Sequence, residues 1–196
     1  CVLAAGKAHV DLKKIRYLFG GDLLRQGIAT SMGVEALQIP MFGLYGACST
    51  SGEALALASM SAAAGYGGTM IAVTSSHFGS AEKEFRFPLG YANQRPLSSH
   101  WTVTGSGAFL VQSAEEYRKQ NTKSYFSNIR ITGVTVGKIV DYGLKDSQNM
   151  GACMAPAAMD TIVQNFQDME RKEKDYDRII TGDLGSIGRT ILFDLI

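Results

Sequence analysis

Cys48 is the residue in this sequence whose setting most invites chemistry. It stands in Gly46-Ala47-Cys48-Ser49-Thr50-Ser51-Gly52, after a short strand-like run and before an alanine-rich stretch. That order sets the thiol at a helix N-terminus, where backbone N–H groups and the helix dipole stabilise a thiolate or a bound anion. A nucleophile, an anion contact and a small thiol buried under the helix all fit these neighbours. The hydrolase elbow fits poorly, because it places a glycine two positions after the nucleophile and Thr50 stands there. His9, His77 and His100 are the chain's histidines, and no triad can be assembled from them.

The elements that must hold this turn are legible around it. Residues 15–19 read as a strand stopped by Gly20-Gly21, and 27–37 as a helix ended before Pro40. Residues 41–45 form a second strand. Leu55, Leu57 and many alanines make 50–64 a buried helix, and 69–75 is a third strand. This βαβ rhythm implies a largely parallel sheet covered by helices. Residues 77–101 break the pattern with Pro88, Pro96, Gly79, Gly90 and the chain's single Trp. They read as an excursion loop with one helical turn at 81–85. Strand-like runs at 102–112 and 128–140 follow, joined by a polar surface connection at 115–121. Residues 149–169 read as a helix and 178–181 as another strand.

Gly21-Asp22-Leu23 recurs as Gly182-Asp183-Leu184, and Gly27 recurs as Gly188, at a constant offset of 161 residues. Each copy reads as strand, turn, helix, which points to a duplicated unit. An aspartate repeated in both copies is expected to cap a turn or a helix start in each. The predicted organisation is a first half over 1–140, with the excursion loop at 77–101, and the start of a second half over 141–196.

Composition narrows the function classes. The 196 residues carry 19 basic and 18 acidic side chains, for a net charge of +1. That balance gives no footprint for nucleic acid and favours a small molecule or another protein as partner. The spacing of Cys1, Cys48 and Cys153 fits neither a zinc site nor a disulfide framework, so a reducing compartment is expected. The most apolar stretch, 54–64, is too short and too mixed to span a bilayer. The start on Cys1 and the end on apolar Leu195-Ile196 suggest a fragment at both ends.

A cysteine at a strand-to-helix junction in a duplicated βα unit resembles the thiolase and ketoacyl-synthase superfamily. More specifically, the chain is similar to the stage V sporulation protein AD family. The matching segments are FGGDLL (19–24), YGACSTS (45–51), VTSSH (73–77), AEKEFRFP (81–88), TVTGSGA (102–108), VGKIVDYGLKDSQNMGACMAPAAMD (136–160) and RIITGDL (178–184). They run in order over nearly the whole chain. DSQNMGACMAP (146–156) is no general thiolase feature. Residues 115–126 depart from the family, being longer and more charged, and read as a loop insertion. By the same resemblance some tens of residues would precede Cys1, and a larger portion would follow Ile196.

The resemblance implies an α/β fold: thiolase-like layered αβαβα with duplicated βα halves, the second half incomplete in this chain. It also implies binding of dipicolinic acid, as calcium dipicolinate, for uptake into the developing spore without catalysis. Implied with it are membrane-protein partners, a homodimer paired through the 69–75 strand, and a peripheral place on the cytoplasmic side of the forespore or spore inner membrane. Dipicolinate is a flat aromatic dianion, so its site calls for backbone N–H groups, cations and an apolar slot. The candidates are Cys48, Ser49, His77, Arg86 and Asn149, with Arg95 a further arginine in the loop. Asn149, Met150 and Cys153 open the helix of the second half, where close helix packing is expected. Glu82, Glu84 and Asp146 have no calcium-binding spacing. No cofactor and no protein metal site are therefore expected, with calcium carried by the ligand. The competing reading is an acyltransferase or condensing enzyme of the ketoacyl synthase III or thiolase type using Cys48 as nucleophile. Its second-half partners lie outside this chain. A third reading is a scaffold that docks membrane proteins.

Overall fold

A computed structural model describes residues 1–77, 79, 97–100, 102–120 and 129–196. The chain divides into two compact units, Cys1–Ala81 with Thr102–Ile131, and Glu82–Trp101 with Thr132–Ile196.

In the first unit, α1 (Val2–Lys7), β1 (Tyr17–Asp22), α2 (Ile28–Val34), β2 (Met41–Gly43), α3 (Thr50–Ala63), β3 (Thr69–Ser76), β4 (Gly105–Gln112) and α4 (Ala114–Gln120) follow in order. The sheet order is β2-β1-β3-β4. β1 lies parallel to both β2 and β3, with Leu18 opposite Met41 and Ile71, while β4 runs antiparallel to β3. The βα rhythm of the sequence therefore yields the largely parallel sheet it predicts.

Alternation along the strands gives each sheet face its own core. On one face Phe19, Met70 and Ala72 pack against Ala54, Ala58 and Ala62 of α3. Alanine at every fourth position lets that helix lie close to the sheet. On the other face Leu18, Ile71 and Val73 pack with Ala5 and Ile15, flanked by Val34 and Leu37. Leu18 and Ile71 are fully buried, each contributing roughly 1.5–3 kcal/mol by removal from water.

β1 does not stop at Gly20-Gly21; it runs through both to Asp22. The glycines are there because the neighbours come close. A Cβ on Gly20 would lie 2.6 Å from Val73 Cγ1, and one on Gly21 would overlap the Leu44 carbonyl oxygen. The strand expected at 69–75 to be an edge is interior: β3 is bonded to β1 and to β4, and among the described residues β2 and β4 stand at the edges. The connection expected at 115–121 is helical over Ala114–Gln120, where Glu115 and Lys119 pair at 2.6 Å one turn apart and lend it modest support. Their hydrogen bond, and then their charges, hold Glu115 below and Lys119 above their ordinary pKa. Glu115's share of this support is lost as pH falls through its lowered pKa, and Lys119's as pH rises through its raised one. Both groups are exposed, so salt weakens the pair.

The second unit holds α5 (Met150–Asp168) and α6 (Gly185–Leu195). Close helix packing is present, and it is made by glycines: a Cβ on Gly188 would lie 2.7 Å from Gly151 Cα. Cys153 is exposed. The strands expected at 128–140 and 178–181 are absent among the described residues, 129–140 and 178–181. A β-branched run becomes a strand only with a ladder partner, and Ile139 and Ile180 stand exposed. Asn149 caps α5 by accepting from the Ala152 N–H at 3.1 Å. No described helix is long and apolar enough to cross a membrane.

Gly21→Ala is expected to cost about 1–3 kcal/mol, read as a lower midpoint of urea unfolding. Gly43→Ala, where nothing lies within 4 Å, is expected to stay within about 0.5 kcal/mol of the parent. Asn149→Ala is expected to cost the α5 start about 1 kcal/mol, visible as faster hydrogen exchange at the Ala152 amide.

Candidate functional site

In the first unit the C-terminal ends of β1 and β3 meet the turn that carries Cys48. Ligands collect at such strand ends in open α/β sheets. A cleft of about 300 Å³ opens there, and its lining includes Asp22, Cys48, Ser51, Ser75, Ser76 and Ser106.

The cysteine turn is built from local bonds. Gly46 N–H donates to Thr50 Oγ1 at 2.9 Å, and Ser49 Oγ–H donates back to the Gly46 carbonyl at 2.7 Å. A Cβ on Gly46 would overlap Ser49 Oγ, so the serine that bonds back to the Gly46 carbonyl would have to move. Ala47 has φ +48°, a left-handed conformation costing an L-residue roughly 1–2 kcal/mol. This arrangement turns the chain from a short 3-10 turn, Ala47–Ser49, into α3. Cys48 is exposed and lines the cleft, so the buried-thiol reading does not hold.

Thr50, Ser51, Thr74, Ser75, Ser76 and Ser106 bring hydroxyls to a lining that also includes Leu23, Ala47 and Val103. Ser106 Oγ–H donates to the Thr74 carbonyl at 2.9 Å. Ser76 Oγ is buried without a hydrogen-bond partner among the described residues. Ser75 stands opposite Asp22 on one side and Ser106 on the other. Asp22 is 4% exposed. Its Oδ1 accepts from Leu24 N–H at 2.7 Å, and Oδ2 is 3.5 Å from Thr30 N. Asp183 makes the same two-residue turn by accepting from Gly185 N–H at 2.9 Å. The repeated aspartate therefore caps a turn in each copy, as its duplication suggests. The glycines at the same offset differ in setting: Gly27 precedes α2 with φ +61°, whereas Gly188 lies inside α6.

Of the residues singled out by sequence, Cys48 lies in the cleft. Ser49 faces back into the turn and is not among its lining. His77 follows β3 directly, is exposed, and is likewise not in the lining. Asn149 belongs to the second unit, where its side-chain oxygen caps α5. Arg86 and Arg95, with Glu82 and Glu84, lie outside the described residues. Sequence reasoning missed Ser75, Ser76, Ser106 and Thr30. The available signal was the small polar run Thr74-Ser75-Ser76 closing a parallel strand. Among the described lining residues none is His, Lys or Arg. No described cluster of three or more His, Cys, Asp and Glu side chains is arranged to hold a metal.

Comparison with known proteins agrees with this architecture. The fold is similar to a variant of OleA from Xanthomonas campestris, at TM-score 0.64 and 13% identity, over 98% of this chain and 61% of that one. It is also similar to AbyA1, a tetronic acid condensing enzyme, at TM-score 0.56 and 13% identity over 98% and 64%. These likenesses establish a thiolase-like fold. Stage V sporulation protein AD of Bacillus subtilis (strain 168) is 40% identical over 194 residues, 99% of this chain and 54% of that protein. The chain thus spans about half the length of this curated relative. The stage V sporulation protein AD (SpoVAD) model matches residues 1–196, and the chain belongs to that sporulation protein family.

Proposed function

We propose that this protein binds dipicolinate, alone or as its calcium chelate, in the cleft beside Cys48, and serves its uptake into the developing spore without catalysis. The observation that carries this reading is the cleft itself: an exposed thiol just ahead of α3 shares one lining with serines at the C-terminal end of β3 and the start of β4. Its volume matches the lower end of small-molecule sites. A helix start offers backbone N–H groups and a positive dipole end to one carboxylate, and serine hydroxyls can donate to the other. The protein works peripherally on the cytoplasmic side of the forespore or spore inner membrane, beside membrane partners. It pairs as a homodimer through one of its sheet edges.

Acyl transfer at Cys48 is the second reading, favoured by the exposure of the thiol at the helix start. It needs a base to activate the thiol and donors for the thioester oxyanion. The described lining offers hydroxyls and no basic side chain.

Calorimetric titration with dipicolinate, with and without calcium, tests the first reading. Saturable binding is expected, weakened about tenfold or more by Cys48→Ala, since hydrogen bonds to a charged group are the stronger kind. No heat at millimolar ligand would sink it. Incubation with an acyl thioester followed by mass spectrometry tests the second: a stable acyl adduct on Cys48, lost in Cys48→Ala, would replace binding by chemistry.

A further inference from the structure

The cleft has a buried support behind it, and hydrogen-bond accounting shows what that support does. Thr30, on α2, is 3% exposed. Its Oγ1 lies 2.7 Å from Ser75 Oγ, and its backbone N–H is directed at Asp22 Oδ2 at 3.5 Å. Several hydroxyls in this protein return their hydrogen to the carbonyl four residues back: Ser31 to Gly27, Thr161 to Ala157 and Thr190 to Ser186. Thr30 does not. Ser75 Oγ is its hydroxyl partner among the described residues.

A hydroxyl has one hydrogen to give and two lone pairs to receive, and a buried donor left unused is costly. Thr30, sealed from water, therefore gives its hydrogen to Ser75. Ser75 is partly exposed and lines the cleft. With its oxygen already receiving, its own hydrogen is left for whatever occupies the cleft. Asp22 accepts from the backbone at both ends of the β1–α2 connection, Leu24 and Thr30, and so fixes α2 over β3. Asp22 and Ser75 are register partners on the parallel pair β1–β3, which keeps the three residues in one line.

We infer that Ser75 is a ligand-binding residue of this cleft, a donor to a carboxylate oxygen of the ligand, and that Thr30 is the positioning residue that orients it. The inference rests on the proposed binding function and adds to it the residue that reads the carboxylate and the one that aims it. With Thr30 as donor, the Ser75 hydrogen is the one available to an acceptor group on the ligand.

The test is a double-substitution cycle read by dipicolinate titration, with unfolding midpoints measured beside it. Ser75→Ala is expected to weaken binding about tenfold or more, the scale for loss of a hydrogen bond to a charged group. Thr30→Val, close in shape but without the hydroxyl, is expected to weaken it severalfold. Thr30→Ser, which keeps the hydroxyl, should bind within about twofold of the parent. The double variant should bind no more weakly than Ser75→Ala alone, because both changes remove one donor. Parent-like binding by Ser75→Ala overturns the inference and leaves the binding function standing. So does a Thr30→Ser variant that loses as much affinity as Thr30→Val, since a lost methyl rather than a lost hydroxyl would then be responsible. Absence of binding by the unsubstituted protein overturns both.

Discussion

The first unit depends on how closely its chain can pass over Gly21. The Leu44 carbonyl sits where a side chain would begin, and Thr50 Cγ2 would meet the same atom at 3.1 Å. Leu44 N–H donates to the Gly20 carbonyl at 2.8 Å, so the chain leaving β2 is bonded to β1 at the level where it must turn. That contact sets the height at which the cysteine turn begins relative to the ends of β1 and β3. Everything in the cleft follows from it: thiol, strand-end hydroxyls and the buried aspartate share one level because two residues of β1 have no side chain.

Such a contact explains why part of the fold was legible in the sequence and part was not. α3 was visible because Leu55, Leu57 and its many alanines are strong helix formers and no strand former interrupts them. β3 was visible as a β-branched run. Gly20-Gly21 was read as a stop because glycine usually ends a strand, yet the same absence of Cβ admits a close neighbour. Only the fold says which use a glycine serves. The runs around Ile131, Ile139 and Ile179 carry strand chemistry in their side chains but no described ladder, and pairing is not a property of one segment. The edge or interior position of β3 is equally a matter of its neighbours.

The site shows the same division. Cys48 was legible because its neighbours are a local pattern, in which Gly46, Ser49 and Thr50 bond to one another. Asp22 and Asp183 were legible as turn caps because duplication and short reach are both sequence properties. Ser75 was not, because its meaning comes from Thr30, 45 positions earlier on another element. Ser49 and Asn149 have polar side chains near the right boundaries, yet their oxygens are spent on the turn and on the helix start. A polar residue at an element boundary usually serves that boundary first.

The face that α3 turns to the sheet, Ala54, Ala58 and Ala62, has a further consequence. Alanine has no rotamers, so these three positions cost no side-chain entropy to seat. The torsional freedom in this contact belongs to Phe19 and Met70 on the sheet and to Leu55 and Leu57 beside the alanines. Ahead of the helix the turn carries its own strained joint, the left-handed Ala47 next to the thiol.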